Sequence, residues 1–266
     1  FEASVSDGER WRLCLEAVKR HDPAKISQID NQWAYFLHGQ FGVQTMQNWG
    51  IMLSRADDAE GELDEESGPF AVSSLDETET TARLATGVKR FTLPDEFNPI
   101  RIFQRVADGN DQHAQTAIDQ LAQIFEDRQQ YPKAADYWRQ GIERFGAAHR
   151  QARLDQIVNN WGRFEPTMTQ AAGGGATLNY RYRNGSLVTF EAHALKIEEL
   201  LDSAKEYLTS RPNPIDWTRV QVDDAGRANL GEKVAEWSVE LEPRENHFDR
   251  RVTVTTPLQD AGAYLV

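Results

Sequence analysis

The six histidines, His21, His38, His113, His149, His193 and His247, are the first residues to weigh for chemistry, and their spacing does not gather them. A zinc protease needs two histidines one helical turn apart with a glutamate beside the first, and His-Glu-x-x-His does not occur. Cys14 is the single cysteine, so the chain cannot close an internal disulfide or build a cysteine-rich zinc site. It lies in the apolar helical run Trp11-Arg-Leu-Cys-Leu15, which reads as a buried, inert thiol; His21 is a poor activating base for it. No Gly-x-Ser-x-Gly elbow and no Gly-x-x-x-x-Gly-Lys phosphate loop is found. Gly173-Gly-Gly175 has no following lysine and precedes a strand, so it reads as a flexible turn. Carboxylates are abundant, yet no pair is singled out for acid–base work. His247, beside Asp249 and Arg250, reads as an exposed turn residue rather than part of a polar network. No catalytic, metal or cofactor residue is therefore nominated, and the expectation is a non-enzyme.

The acidic run Asp57-Asp-Ala-Glu-Gly-Glu-Leu-Asp-Glu-Glu66 could suggest calcium, but its register fails. An EF-hand loop places oxygen ligands at alternate positions around a turn glycine, whereas Ala59 and Leu63 fall at key positions. A solvated acidic loop over roughly residues 56–95 is expected instead. A net charge of −13 argues against a nucleic-acid phosphate backbone as partner. No apolar run is long enough for a transmembrane helix. No signal peptide is visible at Phe1-Glu-Ala-Ser, and with 39% hydrophobic residues the chain can bury a real core.

The elements that would position any site fall into two halves. From Asp7 to about Arg55 the spacing is helical, with Trp11, Leu13, Leu15 and Val18 first, then Ile26, Ile29, Trp33, Phe36, Leu37, Phe41, Met46, Trp49 and Met52. Pro23 sits just inside the second helix. Periodicity resumes near Pro99. Ala117, Leu121, Ala122 and Phe125 form one stripe and Ala134, Ala135, Trp138, Ile142 and Phe145 the next, with Gly146 as the stop. Ala152, Leu154, Ile157, Val158 and Trp161 continue into one more helix. Leu121-Ala122, Phe125, Ala134 and Trp138 approximate a tetratricopeptide unit, in which small residues allow close helix crossing and aromatics fill the gaps. Gln129-Gln-Tyr-Pro132 departs from the usual inter-helix turn.

Beyond Gly162–Pro166 the signals turn to β. Residues 176–183 alternate, Asn184-Gly185 follows, and 186–195 continue, which predicts a hairpin. That role also explains the formal glycosylation sequon Asn184-Gly-Ser186. Lys196 to Leu208 reads as a helix, broken by Arg211-Pro-Asn-Pro214. Later strands centre on Trp217–Val222, Ala235–Leu241, Arg250–Thr255 and Ala263–Val266. Trp237, inside an alternating strand, is expected to plug the core, and Tyr264 to pack back from the last strand. A domain rarely ends inside an apolar strand, so the chain reads as the front of something larger.

Several segments together resemble the amino-terminal region of large bacterial alpha-2-macroglobulin-like proteins. They are Tyr131-Pro-Lys-Ala-Ala-Asp-Tyr-Trp138, Arg153-Leu-Asp-Gln-Ile157 before Trp161-Gly162, Tyr180-Arg-Tyr-Arg-Asn184, Glu232-Lys-Val-Ala-Glu-Trp237, and Thr256-Pro-Leu258 leading to Gly262-Ala-Tyr-Leu-Val266. The likeness covers roughly residues 110–266. It implies an α+β multidomain fold: a tetratricopeptide-like helical domain over residues 1–162, then a macroglobulin-type antiparallel β-sandwich with a helical insertion over 163–266. It further implies a secreted, periplasmic or cell-envelope setting, protease trapping, and protein partners that include later domains of the same chain. The thioester sequence Cys-x-Glu-Gln is absent, and Cys14 is followed by Leu15-Glu16-Ala17. The trapping chemistry would therefore lie elsewhere, leaving this segment as scaffold and interaction region. The competing expectation is a helical-repeat adaptor that binds a partner peptide and has no link to proteases.

Overall fold

The computed structural model describes residues 2–41, 71–84, 86–211, 213–216 and 230–266. It is an α+β protein whose chain divides into two compact units, Phe1–Val158 and Asn159–Val266. The division comes a few residues before the expected boundary because Trp161 is not helical. It opens a strand, Trp161–Phe164, that pairs with Thr177–Arg183.

The first unit is built from helices α1 (Asp7–His21), α2 (Ile26–Phe41), α3 (Pro99–Ala107), α4 (Gln112–Asp127), α5 (Tyr131–Phe145) and α6 (Ala148–Val158). Their ends are set by local chemistry. Asn98 accepts hydrogen bonds from the Ile100 and Arg101 amides, with Pro99 in the first turn; Asp111 accepts from the Ala114 amide. Gly146 ends α5 at φ 91°, a conformation that favours glycine. Pro23 lies in a 3-10 turn, Pro23–Lys25, immediately before α2. Ala34, Ile100, Phe103, Ala117, Ile118, Leu121, Ala122, Phe125, Ala134 and Trp138 form one buried core. Small residues mark the crossings. A Cβ at Gly141 would come 2.9 Å from Arg150 Cδ, so α5 and α6 approach closely only because that position is bare. The stripe expected from residues 117–125 and 134–145 is thus the seam of the bundle. Met46, Trp49 and Met52 lie outside the described residues, as do the acidic run 57–66 and the strand expected at 217–222.

Two expectations in this unit are corrected. Cys14 is exposed, not buried. Leu15, one position on and about 100° around the helix, takes the inward place instead. The stretch expected as loop as far as residue 95 contains an antiparallel hairpin, β1 (Glu79–Leu84) with β2 (Gly87–Thr92), in register from Glu79↔Thr92 to Leu84↔Gly87. Side chains from the helices hold this segment through its backbone. Buried Arg128 donates to the carbonyls of Asp76 and Glu79 at 2.9 and 2.7 Å, and Gln130 donates to those of Ser73 and Leu75 at 3.0 and 2.7 Å. Burial lowers the Arg128 pKa to about 10, against the opposing pull of Glu77, Glu79 and Asp76.

The second unit holds two three-stranded antiparallel sheets. One is ordered β3 (Trp161–Phe164), β4 (Thr177–Arg183), β7 (Arg250–Thr255). The other is ordered β6 (Leu230–Glu240), β5 (Leu187–Leu195), β8 (Tyr264–Leu265). A helix, α7 (Ile197–Thr209), follows β5. The inner faces meet through rings: Phe164, Tyr180 and Phe190 have centroids 5.2–5.7 Å apart, and Trp237 lies 5.3 Å from Phe190. Gly162 is required here, since a Cβ would fall 1.8 Å from Tyr180 Oη.

Asn184-Gly185 does not make a hairpin. β4 and β5 belong to different sheets, so these residues carry the chain from one layer to the other. Asn184 has φ 59°, the conformation that Asn tolerates well, so the turn chemistry was legible. What the turn joins was not. Alternation puts Tyr180, Tyr182 and Phe190 on inward faces, and an arch lets those faces meet across the layers, which a flat hairpin could not.

Candidate functional site

An open groove of about 320 Å³ lies in the helical unit. Tyr35 of α2, Thr116, Asp119, Gln120 and Gln123 of α4, Trp138 of α5, and His149 and Arg153 of α6 line it. The α4 residues recur at three- and four-residue intervals, which places them on one face; His149 and Arg153 are one turn apart for the same reason.

Two ion pairs tie together the helices that line it. Arg150, almost wholly enclosed, donates through Nε to Asp119 Oδ1 at 2.5 Å and through Nη2 to Oδ2 at 2.7 Å. Its Nη1 donates to the Gly146 carbonyl at 3.0 Å, so α4, α5 and α6 meet at one guanidinium. Arg153 donates to Glu126, which also accepts from Trp138 Nε1. Burial raises the Glu126 pKa; the Trp138 hydrogen bond and the Arg153 charge oppose that rise without cancelling it. Burial first, and the Asp119 charge second, raise the Tyr35 pKa, so its hydroxyl stays protonated. His149 is exposed, with Nε2 3.8 Å from Asp119 Oδ2 and its ring edge-on to Trp138 at 6.0 Å. The two carboxylates serve as anchors for arginines. The rest of the lining is hydroxyl, amide, imidazole and indole groups, which between them donate and accept hydrogen bonds.

Sequence reasoning missed this cluster because the signal was faint. The polar stripe 116, 119, 120 and 123 was visible in principle as the reverse of the apolar one. That Asp119 would meet Arg150 depends on helix packing 31 residues apart.

Among the described residues no group of three or more His, Cys, Asp or Glu side chains is arranged to hold a metal, and no helix is long and apolar enough to cross a membrane. His247 is a correction: it is half-buried and its Nδ1 lies 2.8 Å from Asn184 Oδ1, while Asn184 Nδ2 donates to the Asn159 carbonyl at 3.0 Å. It thus joins a network that closes the inter-sheet arch. Trp237 faces inward on Phe190 but is only half-buried, at one side of the aromatic core. Tyr264 does pack back, its hydroxyl donating to the Asp260 carbonyl at 3.0 Å. Gly173 and Gly175, at φ 89° and 74°, form the expected turn, docked on the other end of the unit by the Gly173 amide to the Gln259 carbonyl.

The chain matches no protein-family model, no curated protein and no solved structure.

Proposed function

We propose that this chain is a non-catalytic scaffold and protein-interaction region, acting at the front of a large alpha-2-macroglobulin-like protein that traps proteases outside the cell or at the envelope. The groove over α4–α6 is the observation that supports the interaction reading. Its carboxylates are engaged by Arg150 and Arg153, and its opening presents Tyr35, Thr116, Gln120, Gln123 and His149. An extended peptide carries a donor and an acceptor at each residue, so a lining of mixed hydrogen-bonding groups whose charges are paired suits it. The trapping role rests on the sequence resemblance, with the reactive chemistry carried by other domains.

The trapping role is tested with the full-length protein and a protease, comparing cleavage of a large and a small substrate. Suppressed cleavage of the large substrate with continued cleavage of the small one is the expected result. Equal cleavage of both, with and without the protein, removes the role.

The groove by itself also favours the second reading, an adaptor that binds a partner peptide. A peptide array probed with the present chain separates the two. A defined peptide motif, lost in Gln120→Ala together with Gln123→Ala, favours the adaptor.

A further inference from the structure

The outer face of the β3–β4–β7 sheet concentrates arginine in a chain with 42 acidic and 29 basic residues. Register makes the alignment explicit. Arg163 lies opposite Arg181, and Arg181 opposite Arg251, so one guanidinium row crosses all three strands. Residues directly opposite share a face, and like charges so placed repel. The inner face of the same strands is taken by Phe164, Tyr180 and Tyr182, which leaves the row on the outside. Above it, Arg183 stacks on Trp161 at 5.4 Å and donates to Asp249 at 2.7 Å. Below it, Thr253 donates to Asn179 at 2.9 Å.

The row already holds a carboxylate. Glu165 accepts from Arg181 Nε at 3.1 Å and from Arg251 Nη2 at 3.0 Å, so one anion is shared by two guanidinium groups. Arg163, at the end of the row, is exposed and has no ion pair among the described residues. Arginine's planar fork matches a carboxylate in two-point geometry, and the pairs Glu165 and Asp249 make show that this face seats carboxylates.

We infer that the outer face of this sheet is a docking surface for an acidic peptide segment, with a glutamate or aspartate carboxylate seated between Arg163 and Arg181. This surface is separate from the helical groove and does not depend on it. Size decides against a nucleic acid. Three strands at about 4.8 Å spacing give a row only about 10 Å long, too short for the extended basic track that phosphate binding needs.

Fluorescence anisotropy of a tagged oligo-glutamate peptide with the whole chain, at low and at high salt, tests this. Saturable binding that weakens with salt is expected. Arg163→Gln should weaken it about tenfold, the loss of one charge-assisted pair, and Arg163→Lys by less. Glu165→Gln should tighten it by releasing Arg181 and Arg251. Arg139→Gln, an exposed arginine on α5, is the control and should change nothing. The inference is overturned if Arg163→Gln binds like the unaltered chain, if Arg139→Gln weakens binding equally, or if a single-stranded oligonucleotide displaces the tagged peptide better than the untagged peptide does. Arg163 is exposed, so its loss leaves the sheet core intact.

Discussion

In the helical unit, Ile100, Phe103, Ile118, Leu121 and Phe125 are fully enclosed, and even a charged residue, Arg150, sits inside with its partner. The two-sheet unit encloses fewer large side chains, chiefly Tyr182, Phe190 and Val254, and edges them with half-buried rings such as Tyr180 and Trp237. Its sheets gain from outer-face ion pairs, Arg183 with Asp249 and Glu165 with two arginines. These pairs are partly covered, with the Arg183 and Glu165 side chains 8% and 15% exposed. The difference separates a unit shaped by its interior from one whose surface carries the distinguishing chemistry.

The sharpest way to break this contrast is to open the helical core. Phe125→Ala removes a ring stacked on Tyr137 at 5.5 Å and should cost the helical unit about 3–5 kcal/mol. Chemical denaturation followed by far-ultraviolet circular dichroism should show the helical transition moving and the β transition staying. A joint shift would mean the two units unfold as one. Next comes Arg150→Ala, which leaves Asp119 without its guanidinium and should cost about 3 kcal/mol. Because Asp119 is partly exposed, water recovers some of that loss, and a cost below that of Phe125→Ala is expected. Gly162→Ala probes the other unit. Its Cβ would intrude on Tyr180, and the strand must shift at a cost of about 1–3 kcal/mol. Thermal unfolding should then lose the β transition first.

The smallest effect is a pH dependence. His38 is buried, and burial, aided by the Arg128 charge, lowers its pKa. The unfolded chain takes up the proton near the ordinary value of about 6.5, whereas the folded chain resists it. Stability is therefore complete above that value and falls as the pH drops below it, by at most about 1.4 kcal/mol per pH unit. Denaturation midpoints measured between about pH 7 and pH 5 should show this slope, and His38→Gln should flatten it. An unchanged slope in the variant would assign the effect to other groups.

Glu77 shows how much of such behaviour is hidden from sequence. Burial disfavours its charge, yet hydrogen bonds from Lys133 and Gln104, with the Lys133 and Arg101 charges, outweigh burial and hold its carboxyl below the ordinary value. Those partners come from α3 and α5, far along the chain. The helices themselves were legible because periodicity, Pro99 and Gly146 act locally. The β1–β2 hairpin was not, because its support comes from Arg128 and Gln130, whose reach to a distant backbone leaves no pattern in residues 71–92.

Periodicity by itself determined, in outline, six of the seven helices among the described residues, the α-to-β change near residue 160, and the inward stripes of Phe125 and Trp138. These rest on 3.6- and 2-residue repeats, which any segment carries with it. Tertiary structure alone decided that Cys14 turns outward, that Asn184-Gly185 spans two sheets, that Asp119 meets Arg150, and that three arginines align across β3, β4 and β7. Each of those depends on which elements become neighbours, and that choice is made by the total burial of the fold rather than by any one segment.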